Sequence, residues 1–507
     1  VVEKDYALAD FASATKAPQK DPCLEDMSRL GNPFFWVLGL GFLGGCAVFR
    51  PALPMPQLRL PATYTSQGAD TASIGRLSWR AYFQDPYLQA LIDTALAYNQ
   101  ELRILAAEVE MARWEAQARR GEYLPFVHLG WKNEIEKVGA FTPSGAVESN
   151  LVPEPGRPFP EPMSMYEGGL YASWELDIWR KLRNARRAAF LRMLAAQETR
   201  QFAVTRLIAE VAESYYELLA LRALIAVVDT YINVQSQALH LTKLNQQAGR
   251  ATRLAVNRFQ ARLLNTQNRR YLLLQRQAEV ENRLIYLLGR IPTQLPISPQ
   301  AILDIPIDTT PAVGVPAHLL TQRPDVRAAE KALQAAHLDV LSARAAFYPR
   351  LGIGASLGVQ AFHPALLLNP KSLLYSLGLD ALQPLINWNA LKAAYGMANA
   401  RQRQALLAYE RTLLSAYTEV QTQLARLQNA VRSYTIKQAE VQMLLESILI
   451  ADRLYRSADA DYLEVLLTQS EALEAQIELI EIKLEALKAQ IGLYRALGGG
   501  GAERSYP

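Results

Sequence analysis

Two stretches of this chain are too long to fold inside an ordinary globular domain. Residues 186–247 contain neither proline nor glycine, and neither do residues 397–457. About sixty helical residues at 1.5 Å each reach roughly 90 Å. A helix of that length buries nothing by itself, so it needs neighbours along its whole run. The last helical stretch shows what those neighbours meet. Leu466, Leu473, Ile480, Leu487 and Tyr494 recur every seven residues, and Ile477, Leu484 and Ile491 each follow a member of that series by four. A sustained seven-residue period is the pattern of coiled-coil packing.

The chain also duplicates itself. Asn99-Gln100-Glu101-Leu102-Arg103 precedes Leu124-Pro125 as Arg323-Pro324-Asp325-Val326-Arg327 precedes Tyr348-Pro349, at a constant offset of 224. Trp179-Arg180-Lys181 opens one long helical pattern and Trp388-Asn389-Ala390 opens another. Glu213 to Leu221 then resembles Glu419 to Leu427. Each unit, 85–291 and 317–500, reads helix, strand, loop, strand, long helix, turn, long helix. Asp85 and Pro86 start the first helix as N-cap and first helical residue. Residues 292–316 carry six prolines and read as a linker or a small irregular equatorial region. The turns between the paired long helices are compact, near Gly249-Arg250-Ala251-Thr252 and near Arg456-Ser457-Ala458-Asp459-Ala460-Asp461.

Four segments alternate with period two. Leu351, Ile353, Ala355, Leu357 and Val359 interleave with Gly352, Gly354, Ser356 and Gly358. Leu373 to Ala381, Leu170 to Leu176 and Val127 to Trp131 behave alike. An apolar face opposite a polar or small face fits a transmembrane barrel strand, with lipid outside and water inside. It equally fits a soluble four-stranded sheet half buried against helices. In lipid, four strands leave open edges whose amides have no partner, and barrels begin at about eight strands. The membrane reading therefore requires several protomers, each contributing four strands.

The chain's two cysteines are Cys23 and Cys46. Cys46 closes Leu43-Gly44-Gly45-Cys46 after an apolar run from Phe34 to Leu43, with Met27 and Arg29 ahead of it. A run of about ten residues suits a secretory signal and is too short to span a bilayer. Leu-Gly-Gly-Cys resembles a bacterial lipobox, in which the cysteine is acylated after cleavage. On that reading residues 1–26 are an upstream extension, 27–45 the signal, 46–84 an extended lipid tether and 501–507 a tail. The alternative is a free cysteine in an uncleaved apolar stretch. Cleavage would also remove Cys23, so the mature chain would hold no disulfide. The net charge of +4, with acids and bases interspersed, gives no case for nucleic acid. Gly39-Leu40-Gly41-Phe42-Leu43-Gly44 fits a nucleotide-loop spacing but lies inside the apolar signal run. The five histidines pair with no cluster at metal-ligand spacing, so neither a metal site nor an enzyme is expected.

Several motifs carry a family resemblance. They are Trp79-Arg80-Ala81-Tyr82-Phe83-Gln84-Asp85-Pro86, Leu320-Thr321-Gln322-Arg323-Pro324-Asp325-Val326-Arg327-Ala328-Ala329-Glu330, Tyr455 to Leu466, and Leu493-Tyr494-Arg495-Ala496-Leu497-Gly498-Gly499-Gly500. In this order they resemble the outer-membrane efflux family, the TolC-like outer membrane factors, in its lipoprotein (NodT-type) branch. The resemblance implies a mixed α/β membrane protein: a homotrimer whose twelve strands form one outer-membrane barrel, continued by a periplasmic α-helical barrel. It implies an exit duct for small molecules, docked through a periplasmic adaptor to an inner-membrane transporter. No cofactor is implied beyond covalent lipid on Cys46. Asp459 and Asp461 become gate candidates, a ring of six carboxylates at the periplasmic constriction, although Asp461 is also well placed as a helix cap. Gly249, Arg250, Ala251, Thr252, Arg456, Ser457 and Ala458 become the adaptor-facing tips. The family usually carries glycine after the tryptophan that opens each long helix, where this chain has Arg180 and Asn389, and often at the second tip, where it has Ala458. Two other readings remain: a periplasmic lipoprotein coiled-coil scaffold, and a duct for secreted protein.

Overall fold

The computed structural model describes residues 60–64, 73–152, 155–156, 158–292, 294–386, 388–457 and 462–500. In chain order the helices and strands are α1 (Trp79–Tyr82), α2 (Pro86–Tyr98), α3 (Gln100–Glu122), β1 (Phe126–Glu136), α4 (Pro143–Asn150) and β2 (Met163–Leu176). The helices α5 (Lys181–Gln247), α6 (Arg253–Leu288), α7 (Leu319–Gln322) and α8 (Pro324–Ala345) follow. Then come β3 (Arg350–Ala361), β4 (Leu373–Leu382), α9 (Asn389–Arg456) and α10 (Tyr462–Ala496). The starts of α8 and β3 fall 224 residues after those of α3 and β1, so the two halves present the same order of elements. One difference is α4, a short helix in the loop between β1 and β2, capped by Thr142.

Both long helices begin upstream of the stretches 186–247 and 397–457. α5 spans 67 residues and starts at Lys181 because the buried Asp177 carboxylate accepts from the N–H groups of Leu182 and Arg183, at 3.0 and 2.9 Å. α9 spans 68 residues and runs through Gly396, where nothing approaches the missing side chain. An interior glycine costs a helix only about 1 kcal/mol, less than the packing along its length returns. Arg180 precedes α5 with φ 61°, a left-handed conformation that suits glycine.

The shorter helices meet end to end. The chain breaks direction between α2 and α3 at Asn99, and α6 terminates against that break. Gly289 closes α6 with φ 68°, and its Cα packs on the carbonyl of Tyr98. Asn99 donates its side-chain N–H to the Leu287 carbonyl at 3.0 Å. The second half repeats the joint between α7 and α8. Gly498, at φ 81°, packs on the carbonyl of Gln322, where a Cβ would lie 2.8 Å away. Arg323 donates to the Ala496 carbonyl at 2.8 Å. Two pairs of short helices thereby act as continuations of one another beside the two long ones.

One apolar core runs through the middle of α5, α9 and α10 and gathers α1 and α2. The seven-residue series lies in it: Leu473, Ile480, Leu487 and Tyr494 are buried, as are Ile477, Leu484 and Ile491. Tyr494 stacks on Tyr82 at 4.1 Å and donates its hydroxyl to the Leu77 carbonyl at 2.9 Å. The proline-rich stretch 292–316, expected as a linker or a small irregular equatorial region, packs against the helices where it is described. Ile302 and Val313 are buried, the Ile74 N–H donates to the Ala312 carbonyl at 2.8 Å, and Lys483 of α10 donates to the Leu303 carbonyl at 3.3 Å.

The strands form one antiparallel sheet in the order β1-β2-β3-β4. Residues paired across an antiparallel ladder share a face. The register therefore puts Val127, Leu129, Trp131 and Ile135 on the face that carries Leu170, Ala172 and Trp174. Leu351, Ile353, Ala355, Leu357 and Val359 continue that face, and Leu373, Tyr375, Leu377 and Leu379 complete it. Gly168 lies beneath the ring of Trp131 and has no room for a side chain. The opposite face carries His128, Lys132, Glu134, Glu136, Glu167, Tyr171, Glu175, Ser356, Ser376 and Asp380.

These backbone features predict opposite effects of two exchanges. Gly498→Ala forces a Cβ into the left-handed region and onto a carbonyl, and lowers stability by about 2–4 kcal/mol. Arg180→Gly relieves a left-handed residue and raises stability by about 1 kcal/mol. Thermal unfolding of the purified variants measures both, and equal shifts of the same sign would contradict the geometry.

Candidate functional site

The sheet exposes a wide apolar surface. Leu129, Leu377 and Leu379 are each 80% exposed and Tyr375 is 76% exposed. Nothing among the described residues covers this face, and burying such a surface is the main driving force for association. The other face is wired with polar contacts. Lys132 pairs with Glu134 at 2.5 Å, the Tyr171 hydroxyl donates to Glu167 at 2.5 Å, and Ser356 and Ser376 hydrogen-bond across β3 and β4 at 2.7 Å. Glu175 accepts from Lys181 at 2.6 Å and pairs with Arg350 at 3.2 Å. β1 and β4 each pair on one side only, so both outer edges present unpaired backbone groups.

Aromatic side chains mark the foot of the sheet. Trp174 donates its indole N–H to the Tyr123 carbonyl at 3.0 Å, Trp179 to the Pro349 carbonyl at 2.8 Å, and Trp388 to the Pro384 carbonyl at 2.8 Å. Trp179 also stacks on Tyr348 at 4.8 Å. Apolar rings with satisfied polar handles are what an apolar–aqueous boundary selects.

The turn after α5 closes as a Schellman motif. The Gly249 N–H donates to the Gln246 carbonyl at 3.0 Å and the Arg250 N–H to the Asn245 carbonyl at 2.8 Å, with Gly249 at φ 71°. Ala251 follows, and Thr252 caps α6 by accepting from the Ala255 N–H at 3.2 Å. These four residues thus form a tight end to a helix about 100 Å long at 1.5 Å per residue. Arg456 ends α9, and the Ser457 hydroxyl donates back to the Leu454 carbonyl at 3.0 Å. Ala458, Asp459, Asp461 and Cys46 lie outside the described residues. Among the described residues no group of histidine, cysteine and carboxylates could hold a metal ion, and no helix is long and apolar enough to cross a membrane.

Sequence reading missed two charge clamps that hold the helix bundle. Glu217 on α5 is nearly buried and meets Arg283 of α6 at 2.7 Å and Lys488 of α10 at 3.1 Å. Burial pushes its carboxyl up, but Arg283 and Lys488 outweigh that and hold it below its ordinary value. Glu419 on α9 takes Arg323 at 2.8 Å and Arg495 of α10 at 3.0 Å. Arg323 is 3% exposed and also grips Asp325 through two nitrogens, at 2.7 and 3.0 Å. Burial works against its charge, yet Asp325 and Glu419 keep its pKa raised. The available signal was the match between Glu213 to Leu221 and Glu419 to Leu427, which flagged the region without saying what the acids grip.

Comparison with known proteins places this geometry. The family model described as outer membrane efflux protein matches residues 91–290 and 315–499. The pyoverdine export outer membrane protein OpmQ of Pseudomonas putida is 31% identical over 456 residues, 90% of this chain and 95% of that protein. The solvent efflux pump outer membrane protein SrpC of Pseudomonas putida is 30% identical over 478 residues, 92% of this chain and 97% of that protein. The solved structure of the outer-membrane channel OprN superposes with a TM-score of 0.79 at 25% identity, over 89% of this chain and all of that one.

The Glu217 clamp predicts an acid-labile fold. A carboxyl whose folded pKa is depressed stabilises above its unfolded value of about 4.3 and loses that contribution as pH falls through the folded pKa. Glu217→Gln therefore lowers the Tm at pH 7, by about 3 kcal/mol of lost stability for a broken near-buried pair. As pH falls through the depressed folded pKa, the variant and the parent converge. A Tm difference independent of pH would show that the charge is not what matters.

Proposed function

The chain belongs to the outer membrane efflux protein family, and we propose from that premise that three copies join their sheets into one twelve-stranded barrel across the outer membrane. The protein is the outer-membrane channel of an efflux system. One observation carries the assembly: a sheet whose one face is apolar and exposed across all four strands, and whose two edges are unpaired. In lipid each edge amide needs a partner, which only another copy's edge supplies. The two faces then divide the labour. Leu129, Leu377 and Leu379 meet lipid, and Lys132, Glu134, Glu167 and Asp380 line water.

Below the sheet, α3, α5, α8 and α9 continue the wall, and the end-to-end joints at Gly289 and Gly498 let α6 and α10 extend it. The two similar halves read as an internal duplication that gives each protomer two equivalent wall segments. The Schellman turn at Gly249 and the turn after Arg456 are the ends that face a periplasmic adaptor, which links the duct to an inner-membrane transporter. Asp459 and Asp461 form the constriction, and lipid on Cys46 holds the N-terminus at the membrane. The cargo is small molecules, as the names of the pyoverdine and solvent exporters suggest for their own systems. The duct only conducts and performs no chemistry.

Light scattering of the detergent-purified protein gives a trimer mass on this account, and a monomer that needs no detergent would refute it. In planar bilayers the trimer conducts, and Asp459→Ala with Asp461→Ala raises conductance and weakens cation preference. Unchanged conductance and selectivity would remove the gate from those two residues.

A further inference from the structure

A cleft of about 900 Å³ lies between the last turns of α3 and the first turns of α5, at the foot of the sheet. Arg113 and Arg120 line it from α3, and Arg183, Arg186 and Arg187 line it from α5. Arg183 is tied to Asp177 at 3.2 Å. The other four have no ion-pair partner among the described residues. Nearby Arg119 does have one, Glu122 at 3.0 Å.

A solvated helix face does not account for the arrangement. Basic residues at the C-terminus of α3 offset the negative end of its dipole, which explains Arg120. Arg186 and Arg187 stand in the second turn of α5, far from any helix C-terminus whose dipole would favour them. Four guanidiniums without ion-pair partners line one cleft and repel one another, and no acidic side chain lines it with them. The floor is not polar throughout: Phe190, half exposed, and Leu124 line the same cleft. The cleft thus offers forked donors for an anion beside an apolar surface, at the level of Trp174 and Tyr123.

We propose that this cleft binds a phosphate-bearing ligand, the headgroup of an anionic phospholipid whose acyl chains run up the apolar face of the sheet. Guanidinium matches phosphate oxygens in a bidentate fork, which lysine could not do, and the whole cluster is arginine. The phosphate chemistry stands on the arginines alone. The lipid as its source rests on the membrane reading above. One bound headgroup on each protomer would fix the depth of the barrel at its lower rim.

Native mass spectrometry of the full-length protein in a zwitterionic detergent tests this, with phosphatidylglycerol, phosphatidylcholine and inorganic phosphate titrated separately. Phosphatidylglycerol binds in preference to phosphatidylcholine, and Arg186→Gln with Arg187→Gln weakens it by roughly tenfold or more. Arg120→Gln alone gives a smaller loss in the same direction. Arg426→Gln with Arg432→Gln, which removes equal charge from α9, leaves binding unchanged. Binding of inorganic phosphate, lost in the same variant, without binding of phosphatidylglycerol supports the anion site and assigns it the free ion. Equal binding of both lipids, or equal loss in the α9 variant, overturns the proposal while the trimer mass stays intact. Loss of the trimer mass in the parent protein would instead refute the membrane assembly.

Discussion

An antiparallel sheet of four strands with one apolar face has two ways to satisfy itself. It can cover that face with helices, or it can give the face to lipid. Here the helices continue past the sheet and leave the face bare, with Leu129, Leu377 and Leu379 mostly exposed. The backbone then imposes the second requirement. The free edges of β1 and β4 hold unpaired amides, and hydrocarbon has no water to bond them. The proposed closure with other copies answers that need.

The same economy governs the helices. The proposed wall of helices needs every member to be of comparable reach, yet among the described helices only α5 and α9 are long enough alone. The chain makes up the difference by butting α6 against the break at Asn99 and α10 against the break at Arg323. Each joint rests on a left-handed glycine and a side-chain donor to a terminal carbonyl. Glu217 and Glu419 then draw α10 onto α5 and α9, respectively. Charge clamps of this kind hold register in a bundle whose apolar contacts are repetitive, since leucine against leucine fits equally well one heptad away.

Much of this was legible from residue order. The helices follow from the absence of proline and glycine, the strands from period-two alternation, and the start of α2 from Asp85 and Pro86. Asp85 does accept from the Tyr87 N–H at 2.9 Å. The constant offset of 224 located two pairs of elements to the residue. What stayed hidden has a common cause. Gly289 and Gly498 look like ordinary helix stops, and only the carbonyls facing them show that each is a joint. Arg323 looked like part of a motif, and its buried grip on Glu419 depends on a residue 96 positions away. The arginines of the cleft are dispersed over 75 positions, from Arg113 to Arg187, and converge only when α3 packs beside α5. Periodicity reports on one element at a time, whereas these sites are made between elements.

Hydrogen exchange of the backbone amides in the detergent-purified protein tests the closure of the sheet most directly. If β1 and β4 pair across copies, their amides exchange as slowly as those of β2 and β3, which are paired on both sides within one chain. Rapid exchange confined to the outward amides of β1 and β4, beside protected inner strands, would mean that the edges stay open and that the barrel does not exist.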